Sequence, residues 1–132
     1  MDINKVAVLG TGTMGHHIAL ACAQGGADVK FRGRTRESVA AGMEKIRKFV
    51  NGGVSRGKVT REQSEATLSR IKPVTDLHDA VKDADLVIET VVENINTKKD
   101  CFREIDPVCQ SHTIFASNTS YQCIIEMARV TR

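Results

Sequence analysis

A buried strand that runs straight into a glycine turn and then into a helix leaves few folds open. Residues 6–15 read that way: Val6-Ala7-Val8-Leu9-Gly10-Thr11-Gly12-Thr13-Met14-Gly15. Four consecutive apolar residues suit a parallel strand covered on both faces. Gly10, Gly12 and Gly15 stand in the G-x-G-x-x-G spacing, in which the first glycine permits the tight turn, the second lets a diphosphate approach the backbone, and the third lets helix pack on strand. A helix opening at about His16 then aims unpaired N–H groups and the positive end of its dipole at that phosphate. The spacing alone is common by chance, and its position between strand and helix is what favours a dinucleotide site over a plain strand-turn-helix corner.

The rest of the chain continues the alternation. Ile18 to Ala23 form a small apolar helix that ends at Gly25-Gly26, and Asp28-Val29-Lys30-Phe31-Arg32 alternates as a second strand. Val39, Met43, Ile46 and Val50 recur at helical spacing over residues 37–50, with Asn51-Gly52-Gly53 as the expected break. Thr60-Arg61-Glu62-Gln63 has the capping-box form and starts a further helix to about Leu68. Ile71-Lys72-Pro73-Val74 reads as an edge strand because proline cannot complete a central ladder. A brief helix at Leu77 to Val81, a fourth strand at Asp85 to Glu89, a helix from Ile95 to Val108, a fifth strand at Thr113 to Ala116 and a short helix at Ile124 to Val130 complete the series. The fold class is α/β: a Rossmann-type doubly wound parallel sheet with a helical hairpin inserted between strands 2 and 3.

Composition excludes several classes. The chain has 132 residues, 27% charged and 41% hydrophobic, with a net charge of +3, which fits one globular domain. That weak positive charge does not point to nucleic acid, and no apolar run reaches the length of a membrane span. The N-terminus lacks the basic-then-apolar pattern of an export signal, so a cytoplasmic location, or an organellar one after processing, is expected. Cys22, Cys101, Cys109 and Cys123 show no paired spacing and read as reduced, packed thiols. Gly52 to Val59 falls one residue short of a phosphate-loop motif, which needs a hydroxyl directly after the lysine and a strand before the loop. Arg32, Arg34 and Arg36 alternate just past the second strand and fit either solvated surface or an anion clamp.

The order of motifs closely resembles the NAD-binding domain of the 3-hydroxyacyl-CoA dehydrogenases. The resembling pieces are GTGTMG at 10–15, SRGK at 55–58, TDL at 75–77, DADLVIETVVEN at 83–94 and TIFASNTS at 113–120. That resemblance implies hydride transfer between an L-3-hydroxyacyl-CoA and NAD, or the reverse, and an acyl-CoA substrate. It implies that Gly10, Gly12, Thr13, Met14 and Gly15 hold the diphosphate and that Glu93 and Lys98 lie near the nicotinamide ribose, where an exposed ion pair at a helix entrance is the plainer alternative. Ser120 matches the serine that hydrogen-bonds both cofactor and substrate oxygen, with Asn118 expected to fix the turn that aims it. Arg56 falls where the family has a basic contact to coenzyme A, although a solvated loop charge fits equally.

Two departures from the family pattern stand out. Gly33 occupies the place of the aspartate that accepts from the adenosine ribose, and hydrogen bonds to a charged group are worth roughly 1.5–3 kcal/mol, so its loss weakens NAD about ten-fold or more. With Arg32, Arg34 and Arg36 beside it, this corner is expected to tolerate NADP at least as well as NAD. Tyr121-Gln122 after Ser120 replaces the family's small and aliphatic pair. The resemblance also implies a catalytic histidine on a sixth strand and a glutamate that orients it. His16, His17, His78 and His112 do not stand at that place. The expectation is therefore an incomplete NAD(P)-binding domain over 1–132, truncated before strand 6 and lacking the helical domain that forms a homodimer in the full-length enzyme, and inactive on its own. The alternatives are a non-catalytic nucleotide-binding module and a dehydrogenase for another 3-hydroxy acid or carrier-bound acyl group. A histidine-bearing strand encoded beyond Arg132 favours the enzyme, and a stop codon favours the module.

Overall fold

A computed structural model describes residues 2–132. Five strands, β1 (Lys5–Leu9), β2 (Asp28–Arg32), β3 (Ile71–Val74), β4 (Leu86–Glu89) and β5 (Ile114–Ser117), form one parallel sheet in the order β3-β2-β1-β4-β5. Six helices flank it: α1 (Thr13–Gln24), α2 (Arg36–Ser55), α3 (Arg61–Ser69), α4 (Leu77–Val81), α5 (Ile95–Ile105) and α6 (Ile124–Ala128). The apolar run of β1 is needed because the strand is central and both of its faces are covered. Val6 and Val8 enter one core with Ala19, Leu20, Phe31, Val39, Met43 and Ile46 from the α1 and α2 side. Ala7 and Leu9 enter a second core with Val81, Val87, Phe102, Ile105 and Met127 on the α4, α5 and α6 side. This is the doubly wound arrangement, and α2 with α3 is the inserted hairpin. Among the described residues no helix is long and apolar enough to cross a membrane.

Several boundaries differ from the sequence reading: β4 begins at Leu86, β5 runs over Ile114–Ser117 and α6 ends at Ala128, and three helix ends differ more. The first helix begins at Thr13, with Gly12 as its extended N-cap, so Thr13 and Met14 already belong to the helix. Asn51-Gly52-Gly53 does not break α2, which continues to Ser55. Each interior glycine costs about 1 kcal/mol of helix propensity relative to alanine, and burial of Val39, Met43, Ile46 and Val50 along one face outweighs it. Gly53 also accommodates the returning chain, because a Cβ there would lie 3.2 Å from Val59 Cγ2. The fifth helix stops at Ile105, short of Val108. The capping box at Thr60 and Gln63 forms as its sequence requires, and a second joins Thr35 to Ser38 at the start of α2. Of the four thiols, Cys123 is exposed rather than packed.

Candidate functional site

Parallel strands deliver their carboxyl ends to one edge, and in this strand order the chain switches sides between β1 and β4, where ligands of open α/β sheets bind. Three segments meet there: the glycine turn after β1, residues 90–94 after β4, and residues 118–120 after β5.

Each glycine of the turn has its own constraint. Gly10 has φ +123°, and a Cβ on it would approach Thr90 O to 2.8 Å. A Cβ on Gly15 would run into the Gly10 carbonyl, so the helix rests directly on the turn. In front of Gly12, by contrast, nothing lies within 4 Å of where a Cβ would stand. Open space before the second glycine, at the N-terminus of a 12-residue helix, is the room and the polarity that a diphosphate needs. Thr13 and Met14 are exposed at that helix start. Two residues with no assigned part in the sequence reading fix the corner. Thr90 donates from both its backbone N–H (2.8 Å) and its hydroxyl (2.9 Å) to Leu9 O, tying β4 to the turn. His16 places Nδ1 2.8 Å from Gly12 O, beneath the N-cap peptide.

Lys98 differs from its expected surroundings. It is fully enclosed, and its Nζ donates to the equally enclosed Glu89 Oε1 at 2.8 Å, while Glu93 Oε2 lies farther off at 3.4 Å. The pair is thus an internal one, with Glu93 at its solvent-facing end, rather than an exposed ion pair at a helix entrance. Glu89 also accepts from Val91 N–H and from Ser117 Oγ, each at 2.6 Å. Its sequence signal was the acid closing an apolar strand, which marks the crevice without revealing burial. The Glu93 carboxyl is held below its ordinary value by the Thr119 hydroxyl and, next, by the nearby Lys98 charge.

Ser120 is exposed on the bend after β5. That bend is fixed by Thr119 rather than by the Asn118 side chain: Thr119 Oγ1 accepts from Gln122 N–H at 2.9 Å and Tyr121 N–H at 3.3 Å, and it donates to Glu93 Oε1. Asn118 contributes its backbone N–H to Glu89 O. Cys101, beside this network, is pushed up to about 12 by burial and the Glu89 charge, so it is a packing group and not a nucleophile near neutral pH.

At the ribose corner Gly33 is buried, and a Cβ there would meet Ser38 Oγ at 2.5 Å, Val39 Cγ2 at 2.7 Å and Thr11 Cγ2 at 2.9 Å. The space that an aspartate side chain would leave along is filled. Arg32 turns toward the edge strand, donating from Nε to Thr75 O at 3.0 Å, whereas Arg34 and Arg36 are exposed. A groove of about 520 Å³ lies beside this corner, with Arg36 and Arg47 on one rim and Asp76 and Asp79 on the other. Arg56 caps the far end of α2, its guanidinium folded back over Gly52, where a Cβ would stand 3.1 Å from it. Twenty helical residues separate it from the ribose corner, roughly 30 Å of helix.

The chain is 39% identical over 128 residues to the 3-hydroxyadipyl-CoA dehydrogenase of Escherichia coli, covering 97% of this chain and 27% of that one. It is 36% identical over 131 residues to a probable 3-hydroxybutyryl-CoA dehydrogenase of Bacillus subtilis, covering 99% of this chain and 45% of the relative. The crystal structure of an E. coli 3-hydroxybutyryl-CoA dehydrogenase superposes with a TM-score of 0.96 at 37% identity, over 100% of this chain and 28% of that one. The chain thus spans less than half the length of these relatives. The family model described as 3-hydroxyacyl-CoA dehydrogenase, NAD binding domain, matches residues 5–132, and the chain belongs to that family.

Proposed function

We propose that this chain is the coenzyme-holding part of an oxidoreductase that interconverts an L-3-hydroxyacyl-CoA and the 3-ketoacyl-CoA. The observation that carries the reading is the glycine turn: a left-handed Gly10, a Gly15 pressed on it, and open space before Gly12. Gly10, Gly12 and Gly15, with Thr13 and Met14 at the helix start, take the diphosphate. Glu93, backed by the enclosed Lys98, accepts from the hydroxyls of the nicotinamide ribose. When bound, the nicotinamide supplies the hydride acceptor or donor. Ser120 offers its hydroxyl to the reacting oxygen, and Arg56 is the group for the coenzyme A phosphates. Taken alone, the coenzyme-holding part binds nucleotide and turns over nothing, and dimerisation belongs to the whole-length enzyme. The unpaired thiols suit a reducing compartment such as the cytoplasm.

The finer reading concerns the second phosphate. With no carboxylate at Gly33, and Arg34 and Arg36 exposed beside it, the corner accepts the 2′-phosphate of NADP at least as well as the free hydroxyls of NAD. Fluorescence titration of the chain with NADH and NADPH tests this. NADPH is expected to bind at least as tightly, with Arg34→Ala weakening it more than NADH. A clear preference for NADH in the unsubstituted chain contradicts the second-phosphate reading without touching the dinucleotide one.

A further inference from the structure

A continuous polar chain crosses the crevice from β4 to the serine turn. Ser117 donates to Glu89, Lys98 bridges Glu89 and Glu93, and Glu93 accepts from Thr119. Its inner end is fixed, because Glu89 and Lys98 have no exposed surface. Its outer end carries the turn, because the Thr119 hydroxyl that donates to Glu93 also accepts from Tyr121 and Gln122 N–H. Ser120 lies between the residue whose hydroxyl accepts these bonds and the two whose N–H groups donate them.

We infer that Thr119 is a positioning residue for Ser120 and that Glu93, held by Lys98, is the brace against which it sets the turn. The inference rests on the proposal that Ser120 faces the cofactor and the reacting oxygen. A carboxylate offers about four lone-pair sites. Thr119 and Lys98 each engage one oxygen of Glu93, which leaves room for ribose hydroxyls. One carboxylate therefore serves both the ribose and the serine turn, and a change at either is felt at the other. The Thr119 hydroxyl is also the first of the groups that hold the Glu93 carboxyl below its ordinary value.

The test uses this chain as Thr119→Val, Thr119→Ser, Glu93→Ala and Ser120→Ala, with NMR following the Glu93 carboxyl and the Tyr121 and Gln122 amides, and NADH titrated in parallel. Dispersed amides from β1 and β4 report that each variant keeps its fold. Thr119→Val is expected to raise the Glu93 titration, move both amides and weaken NADH about ten-fold, the size of one lost charge-assisted hydrogen bond. Thr119→Ser keeps all three at their original values, and Glu93→Ala moves the same two amides from the other side of the bond. A Thr119→Val chain with unmoved amides and an unmoved Glu93 titration overturns the inference, as does a serine variant that behaves like the valine one. If Ser120→Ala binds NADH as the parent does, the parent proposal about Ser120 fails while the control of Thr119 over Glu93 and the turn is still read directly.

Discussion

Lys98 carries its charge where no water reaches it, 2.8 Å from an equally enclosed Glu89. Removing one member of such a pair leaves the other charge uncompensated, which costs about 3–5 kcal/mol, whereas removing both costs much less. Lys98→Met is therefore expected to lower the unfolding free energy by about that amount, and Glu89→Gln combined with Lys98→Met to recover part of the loss, measured by urea denaturation. A single variant as stable as the parent would mean that the pair does not carry charge in the interior. The family resemblance singles out Lys98 as a candidate position but matches it with Glu93, five residues away. Its stronger partner lies nine residues back, on the preceding strand, and only the return of α5 across β4 brings the two together. Gly33 was legible in a similar, partial way. Its identity announces a missing carboxylate, whereas the closure of Thr11, Ser38 and Val39 around it is a property of volume that a residue string does not carry. Restoring an aspartate there thus requires the neighbours to give way.

At the scale of elements, periodicity and caps transmitted most of the architecture. Strands at 28–32 and 71–74 and the capped helix at Thr60 form where alternation, proline and the capping box put them. Helix ends were less legible: glycines at 52 and 53 signal a stop in local terms, and only the packing of Val50 and Val59 reveals that the helix continues. Joints between elements were not legible. Asp85 ties the start of β1 to the start of β4, its Oδ2 accepting from the N–H groups of Asn4 and Lys5, each at 2.9 Å. Those two backbone donors, and His112 after them, hold the Asp85 carboxyl below its ordinary value. A depressed carboxylate contributes stability that is present above its unfolded-state value and is lost as pH falls through the folded one. Asp85→Asn is accordingly expected to be less stable than the parent near neutral pH, with the two curves converging as pH drops below the ordinary value of 3.8. Urea melts across an acid pH series give the comparison, and parallel curves would remove Asp85 from the acid response.

The whole molecule is a sheet with two cores, one on each face, and a rim where three loops converge. That division explains why the fold was so much more readable than the site. Cores require runs of apolar residues at fixed periods, which survive in sequence as patterns, whereas the rim is built from single contacts between distant segments, such as Thr90 on Leu9 and Thr119 on Glu93. The dinucleotide reading depends on the one place where rim and core logic coincide, the turn that needs Gly10 and Gly15 for packing and leaves Gly12 open. Gly12 has an extended backbone, φ −70°, and free space around its missing Cβ, so a larger residue fits the fold while filling the approach to the helix start. Calorimetric titration with NADH of the parent and of Gly12→Val, alongside their thermal melts, is the most direct test. The account predicts saturable heat for the parent, binding at least about ten-fold weaker for the valine variant, a loss of about 1.4 kcal/mol, and matching melting temperatures. A parent that gives no heat at millimolar NADH, or a valine variant that binds as the parent does, would contradict it.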